Sequence, residues 1–294
     1  MSGRLLVLGG PTAAGKTALA MAIAERWPVR LVSADAMQVY RGLNIGTGKP
    51  SPEELRRFPH DNIDVRDPHE EFSAMDLADG ADARLRAGED VVVVGGTGFY
   101  LRALLIGFAP TPAVDPALRA TLDALPNPHA ALAAVDPASA ARLHPNDRVR
   151  VVRALEVFHL TGRPMSVVHA EHPVGAPRWP ARRLWVDRPD LDARIDARVL
   201  QMVDQGYVAE VEGLLNRGVS RELKPMRSLG YRWMCALVAG EIPLSEAIEG
   251  TQRDTRRFAK KQRQMLRSIG GFEPVNADDL DAVLTIAADT FGPA

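Results

Sequence analysis

Residues 9 to 20 combine the residue types and the spacing of a phosphate-binding loop. The stretch reads GGPTAAGKTALA, and Gly10 to Thr17 match the pattern G-x(4)-G-K-[ST]. In such a loop the backbone N–H groups surround phosphate oxygens, the lysine adds a positive charge and the following hydroxyl can bind Mg²⁺. The alternative is a glycine turn that only joins a strand to a helix. The residues predicted to bind phosphate are Gly10, Pro11, Thr12, Ala13, Ala14, Gly15, Lys16 and Thr17, with Thr17 as the metal ligand.

A carboxylate and a hydroxyl follow two further apolar stretches. Asp35 follows LVSA, and Thr97 lies in GGTG directly after VVVV. A carboxylate beside a phosphate site can act as a general base, and a nearby hydroxyl can hydrogen-bond the reacting group. Hydrolases and many kinases with such a loop place an aspartate after another core strand, but VVVV ends in glycines here. Asp35 could also only cap a turn, and Thr97 could only cap the following helix.

The stretches around these residues alternate between strand and helix patterns. Short apolar runs bounded by glycine or polar residues are typical of strands buried in a parallel sheet. We therefore predict an α/β fold, with a P-loop NTPase-like parallel sheet that is flanked by helices. The predicted strands are Leu5–Leu8, one from Leu31 to about Asp35, Val91–Val94 and Leu184–Val186; the predicted helices include one after the phosphate loop, Ser73–Ala87, Asp147–Leu160 and one capped by Asp190.

From Pro110 onward the chain has a different texture. Prolines between Pro110 and Pro145 divide the segment into short, alanine-rich helical pieces. The proline-rich, basic stretch HPVGAPRWPARR, residues 172–183, is typical of a linker. We predict an all-helical domain at 113–181, inserted into a catalytic core that consists of 1–112 and 182–294.

Length and composition exclude several classes of protein. The 294 residues are 46% hydrophobic, which is enough for a full core. The single cysteine, Cys235, excludes an internal disulfide and a thiolate zinc site. No apolar run approaches the ~20 residues of a membrane-spanning helix, and the N-terminus has a strand pattern instead of a signal peptide. We expect a cytoplasmic protein without a membrane segment, and a monomer.

Positive charge is concentrated near the C-terminus, although the formal net charge is only −1. The segment 253–267 contains seven basic residues and a single acid, Asp254. Residues three, four and seven positions apart share one side of a helix, so these side chains can form a stripe along a phosphate backbone. A solvated helix face is the alternative explanation. The basic residues are Arg253, Arg256, Arg257, Lys260, Lys261, Arg263 and Arg267.

Five blocks together resemble the tRNA dimethylallyltransferase family, also called tRNA isopentenyltransferases. They are the phosphate loop, SADAMQVYRGLNIGTGKP (33–50), GGTGFYLRALLIG (95–107), HPNDRVRVVRALEVF (144–158) and MRSLGYR (226–232). The resemblance implies transfer of a dimethylallyl group from dimethylallyl diphosphate to N6 of adenosine 37, beside the anticodon of tRNAs that read codons starting with U. The loop would then hold a diphosphate leaving group together with Mg²⁺.

The resemblance also implies roles for individual residues. Asp35 takes the proton of the adenine amine, Thr97 hydrogen-bonds near that amine, and Arg227 adds a cation to the diphosphate site. The target base must leave its stack to reach the loop, so we predict base flipping. The residues implied to contact the tRNA anticodon stem-loop are Asp35, Ala36, Met37, Gln38, Thr97, Arg119, Arg150, Arg153, Arg256, Lys260, Lys261, Arg263 and Arg267.

Three other functions stay open at this point. The first is a kinase in which Asp35 deprotonates a small-molecule hydroxyl and bound ATP supplies the γ-phosphate. The second is a non-catalytic RNA-binding protein whose nucleotide-binding loop acts as a switch. The third keeps the prenyl transfer but uses free AMP or ADP as the acceptor. The helical insertion and the basic stripe favour a macromolecular acceptor, because a mononucleotide needs no such footprint.

Overall fold

The structure is a computed structural model that describes residues 2–172 and 177–293. Its strands are β1 (Leu5–Gly9), β2 (Arg30–Ser33), β3 (His60–Asp61), β4 (Val91–Gly95), β5 (Ala181–Asp187) and β6 (Glu273–Asn276). Within the described residues they form a six-stranded sheet in the order β3-β2-β4-β1-β5-β6. Each neighbouring pair is parallel, which confirms the predicted sheet.

The chain divides into two compact units, and each has its own helices. One unit combines Met1–Leu105 with Arg178–Ala294, and the other is Ile106–Pro177. The first contains the sheet, α1 (Lys16–Ala24), α2 (Pro52–Arg57), α3 (Ala74–Arg86), α4 (Gly98–Leu105), α10 (Leu191–Asp204), α11 (Tyr207–Asn216), α12 (Leu229–Val238), α13 (Leu244–Ile269) and α14 (Leu280–Phe291). The second contains α5 (Pro116–Asp123), α6 (Pro128–Val135), α7 (Pro137–Arg142), α8 (Arg148–Thr161) and α9 (Met165–Glu171).

The segment that joins the second unit to β5 differs from the predicted linker. Residues 173–176 of that linker lie outside the described residues. Ala181, Arg182 and Arg183 belong to β5, because their backbone pairs in register with residues 5–7 of β1. The charged side chain of Arg182 does not prevent this pairing, since it reaches Glu273 of the neighbouring strand at 2.9 Å.

The central strands are buried on both faces of the sheet. Every residue of β1 and β4 is buried, as the all-apolar runs predict. Leu6 and Leu8 of β1 share a hydrophobic core with Val92 and Val94 of β4 and with helices α1 and α14. Burial of such side chains contributes about 1.5–3 kcal/mol each, so these two strands anchor the segments that follow them.

Capping residues define where two helices of the first unit begin. Ser73 and Asp76 form a capping box at the start of α3, where each side chain accepts a hydrogen bond from the other's backbone N–H. Asp190 occupies the N-cap position of α10, but its side chain does not cap that helix. Its carboxylate accepts a hydrogen bond from Arg188 at 3.0 Å instead. The prediction that Asp190 caps α10 was therefore right in position and wrong in contact.

Proline and short polar residues set the short helices of the second unit. Proline occupies one of the first positions of α5, α6 and α7, where the missing N–H costs no helical hydrogen bond. The side chains of Asp115, Asn127 and Asp136 accept hydrogen bonds from the first amides of these helices. The predicted helix at 147–160 is α8, which ends at Thr161 and has Gly162, with φ +70°, as its C-cap.

Parallel pairing brings three functional segments to one edge of the sheet. The carboxyl ends of β1, β2 and β4 lie at the same edge, and β4 runs between the other two strands. The phosphate loop follows β1, Asp35 follows β2, and Thr97 follows β4. In open α/β sheets, ligands bind at this edge, so the fold places the predicted residues where a substrate site is expected.

Candidate active site

The loop between β1 and α1 has the backbone conformation of an anion-binding loop. Gly15 has φ +96° and lies at the N-cap of α1. A Cβ atom on Gly10 would stand 2.1 Å from the carbonyl oxygen of Val186, so only glycine fits beside β5. Ala13 has φ +65°, a conformation uncommon for a residue with a side chain. The amides at the start of α1 and the helix dipole can therefore bind an anion.

Lys16 supplies the positive charge of this loop. In the structure its Nζ atom donates a hydrogen bond to the carbonyl oxygen of Pro11 at 2.7 Å. Burial lowers the pKa of the Lys16 ammonium group to about 8, and the negative charge of Asp35 opposes this shift. Arg198 lowers the pKa of Lys16 further, because it is a second cation near the same site. A bound anion would reverse the balance and favour the charged lysine.

Hydrogen bonds between the segments that follow β2 and β4 hold Asp35 and Thr97 near each other. Thr97 N donates a hydrogen bond to Ala34 O at 3.1 Å, and the Thr97 hydroxyl accepts one from Ala36 N at 3.1 Å. The Asp35 Oδ1 atom accepts a hydrogen bond from Met37 N at 2.8 Å, which makes a local turn. Its Oδ2 atom accepts no hydrogen bond from the residues that the structure describes. Asp35 is therefore both a turn residue and a carboxylate with one oxygen open to a ligand.

The phosphate loop and Asp35 line one cavity of about 290 Å³. Lys16, Thr17 and Asp35 lie on its walls together with Gly95 and Gly96 at the end of β4. Thr97 is the next residue after Gly96 but is not among the described residues that line the cavity; its hydroxyl accepts the hydrogen bond from Ala36 N. The structure thus brings the predicted phosphate loop and the predicted base to one cavity, with the predicted hydroxyl on the residue that follows its wall at Gly96.

Arg198 of α10 also lines this cavity and was not identified from the sequence. Its Nη2 atom donates a hydrogen bond to Gly48 O at 3.3 Å. A Cβ atom on Gly48 would stand 1.7 Å from that Nη2 atom, so the arginine approaches only because residue 48 is glycine. Burial lowers the pKa of Arg198, while Asp35 raises it. Arg198 is a second cation on the wall of the cavity.

A carboxylate holds the loop that contains Gly48. Glu210 of α11 accepts hydrogen bonds from the backbone N–H groups of Asn44 and Ile45, at 2.9 and 2.7 Å, and from Gly46 N at 3.2 Å. It also accepts one from the Tyr231 hydroxyl at 2.6 Å. Three successive amides that point at one carboxylate fix the course of the loop, so Glu210 helps to hold this wall of the cavity.

The residues after Asp35 make contacts within the chain. Both ends of the Gln38 side-chain amide are used: Oε1 accepts a hydrogen bond from the Ser33 hydroxyl at 2.9 Å, and Nε2 donates to Gly48 O at 3.3 Å. Ala36 and Met37 are half-buried, and their amides bind Thr97 and Asp35 as described above. Gln38 lines the cavity, with its amide oriented by the chain itself.

Arg227 is a further residue predicted to bind the diphosphate. It is exposed, in the segment before α12, and it is not among the described residues that line the cavity. Its implied contact with a diphosphate stays a prediction. Among the predicted diphosphate-binding residues, Thr12, Ala13, Gly15, Lys16 and Thr17 do line the cavity.

The basic residues of α13 divide into two groups. The exposed group contains Arg253, Arg257, Lys260, Lys261 and Arg267, and the Arg267 guanidinium stacks over the Trp185 ring at 5.5 Å from its centroid. Arg256 and Arg263 are half-buried and engaged with acids: Arg256 pairs with Asp196, and Arg263 makes two hydrogen bonds to Asp187, at 2.7 and 2.8 Å. The exposed group is the part of the predicted stripe that is open to a polyanion.

The predicted arginines of the second unit also differ in their surroundings. Arg150 of α8 is exposed and lies 3.2 Å from the Asp147 carboxylate. Arg153 is half-buried and donates hydrogen bonds to Glu156 at 2.6 Å and to Pro112 O at 2.6 Å. Arg119 lies in α5 and is half-buried. Arg153 therefore has a structural role within its unit, whereas the exposed side chain of Arg150 is accessible to a ligand.

No cluster of three or more His, Cys, Asp or Glu side chains that could hold a metal ion occurs at 2–172 or 177–293. Mg²⁺ commonly binds through one or two protein oxygens, several waters and substrate phosphates. Thr17, the predicted metal ligand, lies on the wall of the cavity. Its hydroxyl fits Mg²⁺ that arrives with a phosphate ligand. The part of the chain that the structure describes contains no helix long and apolar enough to cross a membrane.

Known proteins are similar to this chain over most of its length. A family model described as IPP transferase matches residues 38–269. The tRNA dimethylallyltransferase 1 of Citrifermentans bemidjiense is 48% identical, over 88% of this chain and 87% of the relative. The tRNA dimethylallyltransferase of Geobacter sulfurreducens is 45% identical, over 98% of this chain and 97% of the relative.

Solved structures show the same similarity. A full-length tRNA isopentenylpyrophosphate transferase from Bacillus halodurans is 33% identical with a TM-score of 0.70, covering 97% of this chain and 95% of that one. A eukaryotic dimethylallyltransferase acting on tRNA is 25% identical with a TM-score of 0.82, covering 99% of this chain and 76% of that one.

The parallel sheet with a phosphate loop after its central strand defines a P-loop-type α/β protein. Within that class the chain belongs to the IPP transferase family of tRNA dimethylallyltransferases, as the sequence blocks predict.

Proposed function

We propose that this chain transfers a dimethylallyl group from dimethylallyl diphosphate to N6 of adenosine 37, in tRNAs that read codons starting with U. The products are N6-isopentenyladenosine and diphosphate. One observation carries the proposal: Asp35 and the phosphate loop line the same cavity. The loop suits the leaving group, and the carboxylate suits the incoming amine. The named relatives support a tRNA acceptor, as they are called tRNA dimethylallyltransferases.

The leaving group calls for positive charge at the phosphate loop. When the bond between carbon and oxygen breaks, its electron pair stays on the diphosphate, so negative charge grows on oxygen. Lys16 and the amides at the start of α1 stabilise that charge, since they are already oriented before the reaction. Arg198 on the cavity wall adds a cation, and its guanidinium can give several donors to a diphosphate.

The nucleophile calls for a base. The exocyclic N6 of adenine forms a bond to the allylic carbon and loses one proton. Asp35 takes that proton through Oδ2, because Oδ1 is engaged with Met37 N. The Thr97 hydroxyl holds the Ala36 amide, so the strand ends that carry Asp35 and Thr97 keep a constant separation. In this mechanism Asp35 is the catalytic residue, and Thr97 orients the acceptor side.

Mg²⁺ would be held by the Thr17 hydroxyl together with diphosphate oxygens. The ion supplies further neutralisation of the leaving group when it is bound. Lys16 and the loop amides do not depend on it for their position, since the helix start fixes them. We propose a monomer as the working form, because one chain contains the phosphate loop, the base and the exposed cations. The tRNA acceptor suggested by the named relatives supports a cytoplasmic location.

Mass spectrometry of nucleosides tests the proposal directly. Unmodified tRNA is incubated with the protein, Mg²⁺ and dimethylallyl diphosphate, then digested to nucleosides. We expect N6-isopentenyladenosine in the wild-type sample and none with Asp35→Ala. A tRNA with guanosine in place of adenosine 37 is the control for position. In a parallel reaction with ATP and candidate acceptors, formation of ADP without any isopentenylated nucleoside in the RNA would decide for a kinase. Modification of free AMP but not of tRNA would decide for a mononucleotide acceptor.

A further inference from the structure

Gln262 is a buried polar residue inside the basic helix α13. Its immediate neighbours in sequence are Lys260, Lys261 and Arg263, yet only 5% of Gln262 is exposed. The helix therefore turns an amide toward the sheet and lysines toward solvent. A buried amide costs free energy unless both of its ends are hydrogen-bonded, so its partners determine what the residue does.

Both ends of the Gln262 amide reach the active-site edge of the sheet. Oε1 accepts a hydrogen bond from Thr12 N at 2.9 Å, and Nε2 donates one to Gly96 O at 2.9 Å. Thr12 belongs to the phosphate loop, and Gly96 precedes Thr97. The orientation of the amide is fixed, because a backbone N–H must meet the oxygen and a carbonyl must meet the nitrogen. One side chain thus connects the phosphate loop with the segment that carries Thr97.

Glycines at these strand ends leave room for side chains of α13 to contact the backbone. A Cβ atom on Gly96 would stand 2.2 Å from Gln262 Nε2 and 2.6 Å from Gly10 O. A Cβ on Gly98 would stand 2.2 Å from Met265 of the same helix, and one on Gly9 would stand 3.3 Å from Leu266. Side chains of α13 pack directly against the backbone at these points, so a displacement of α13 is transmitted to the strand ends.

The contacts continue to the proposed base. Gly96 is bonded to Thr97, whose hydroxyl holds Ala36 N while its amide donates to Ala34 O. Asp35 lies between these two alanines. Gln262 therefore links the exposed cations of α13 to the diphosphate loop on one side and to the Asp35 turn on the other.

We propose that Gln262 is a positioning residue that couples RNA binding along α13 to the diphosphate site. This inference rests on the proposed function, because it takes RNA as the ligand of the exposed lysines. An RNA backbone that engages Lys260 and Lys261 sets the position of the helix. Through its two hydrogen bonds, Gln262 then determines the positions of the Thr12 amide and the Gly96 carbonyl. RNA and diphosphate accordingly bind more tightly together than either does alone.

The test measures both ligands separately and together. The probes are inorganic pyrophosphate with Mg²⁺ and an unmodified anticodon stem-loop RNA, which cannot react with each other. We expect the RNA to tighten pyrophosphate binding by about 5-fold or more in the wild type, the lower range of measured couplings. In Gln262→Leu we expect this factor to fall to about 1, whatever the change in each single affinity. Gln264→Leu, on the exposed side of α13, is the matched control and should keep the wild-type factor.

A second variant separates the two hydrogen bonds. Gln262→Glu keeps an acceptor for Thr12 N but places an oxygen against Gly96 O, so we expect it to lose the coupling as well. Thermal unfolding shows whether each variant folds. If neither folds, amide hydrogen exchange of wild-type Thr12 and Thr97 gives the answer, since RNA binding should slow exchange at both.

Several outcomes overturn the inference. These are an unchanged coupling factor in a folded Gln262→Leu, no coupling in the wild type, or unchanged exchange at Thr12 and Thr97 when RNA binds. A loss of coupling in Gln264→Leu would also do so, because it would assign the effect to the helix as a whole. Failure of the wild type to bind either probe is a different result, since that outcome rejects the proposed function.

Discussion

The Thr97 hydroxyl accepts a hydrogen bond from the backbone amide of Ala36 across two neighbouring strand ends. This bond fixes the turn that carries Asp35, whose Oδ1 atom binds Met37 N. The geometry leaves the Oδ2 atom for a ligand. The Asp35 carboxylate therefore both stabilises the turn and can accept a proton. Substitution of Asp35 can separate these two roles.

Asp35→Asn should keep the turn and remove the base. The amide oxygen can still accept from Met37 N, whereas the side chain no longer takes a proton at neutral pH. We expect the rate of single-turnover prenyl transfer to fall by about 10²–10⁴-fold, the usual contribution of a general base. The affinity for tRNA, measured by filter binding, should stay within a few fold. A variant with wild-type rate would reject Asp35 as the base.

Thr97→Ala and Thr97→Ser distinguish the hydroxyl from the methyl group. Loss of the hydroxyl leaves the Ala36 amide without its partner, which costs about 1–3 kcal/mol when the group is buried. We expect Thr97→Ala to slow transfer by about tenfold or more, and Thr97→Ser to keep most of the rate. The measurement is the same single-turnover assay at saturating donor. A wild-type rate for Thr97→Ala would show that the hydroxyl is dispensable.

Local patterns were enough to predict the elements that carry the site. VVVV and LLVL are apolar at each position, and such runs are buried on both faces of a parallel sheet. Once the sheet is parallel, its carboxyl ends meet at one edge. The positions of Asp35 and Thr97 next to the phosphate loop therefore follow from three local stretches and one rule of topology.

Contacts between distant segments could not be predicted in this way. Gln262 binds Thr12, which is 250 positions away in sequence, and its lysine neighbours make the segment look like a solvated basic face. Arg198 reaches the cavity because of the space beside Gly48. The pattern of apolar and polar residues in the sequence does not reveal that space. The pairing of Arg256 with Asp196 is similar, since it depends on how α10 and α13 pack.

Donor binding should weaken at alkaline pH because of Lys16. Burial lowers the pKa of its ammonium group to about 8 in the empty site. A bound diphosphate stabilises the charged form and raises that pKa, so binding requires a proton once the pH exceeds about 8. Affinity for dimethylallyl diphosphate should therefore lose up to about tenfold per pH unit above this value.

Calorimetric titration between pH 7 and 9.5 checks this dependence on Lys16. Lys16→Arg is the control, because a guanidinium stays charged over the whole range. Titration of the ligand itself affects both proteins equally. We expect the affinity of the variant to fall less steeply above pH 8. The same slope in both proteins would assign the pH dependence to another group.

The two groups of cations on α13 should differ in their effect on tRNA binding. Replacement of both Lys260 and Lys261 by Gln removes two exposed charges, which should lower the slope of log K against log salt by about 2. Arg256→Gln should change the slope less, since Arg256 already pairs with Asp196. The measurement is tRNA affinity at several salt concentrations. A larger effect of Arg256 would show that its ion pair opens when RNA binds.

Arg153 should matter for stability far more than Arg150 does. The Glu156 side chain is fully buried, and it accepts hydrogen bonds from Arg153 at 2.6 Å and from Asp115 N at 2.8 Å. Arg153→Ala leaves this carboxylate without its cation, which should cost about 3–5 kcal/mol. Arg150→Ala removes an exposed residue and should change the free energy of unfolding by less than about 0.5 kcal/mol.

Hydrogen exchange of the α8 amides measures these changes in the unit itself, because the slowest amides report its opening free energy. Arg153→Ala should speed their exchange by about two orders of magnitude or more, in line with the lost ion pair. Arg150→Ala should leave it nearly unchanged while weakening tRNA binding. If Arg153→Ala kept wild-type exchange and lost only tRNA affinity, Arg153 would be an RNA ligand and not a structural residue.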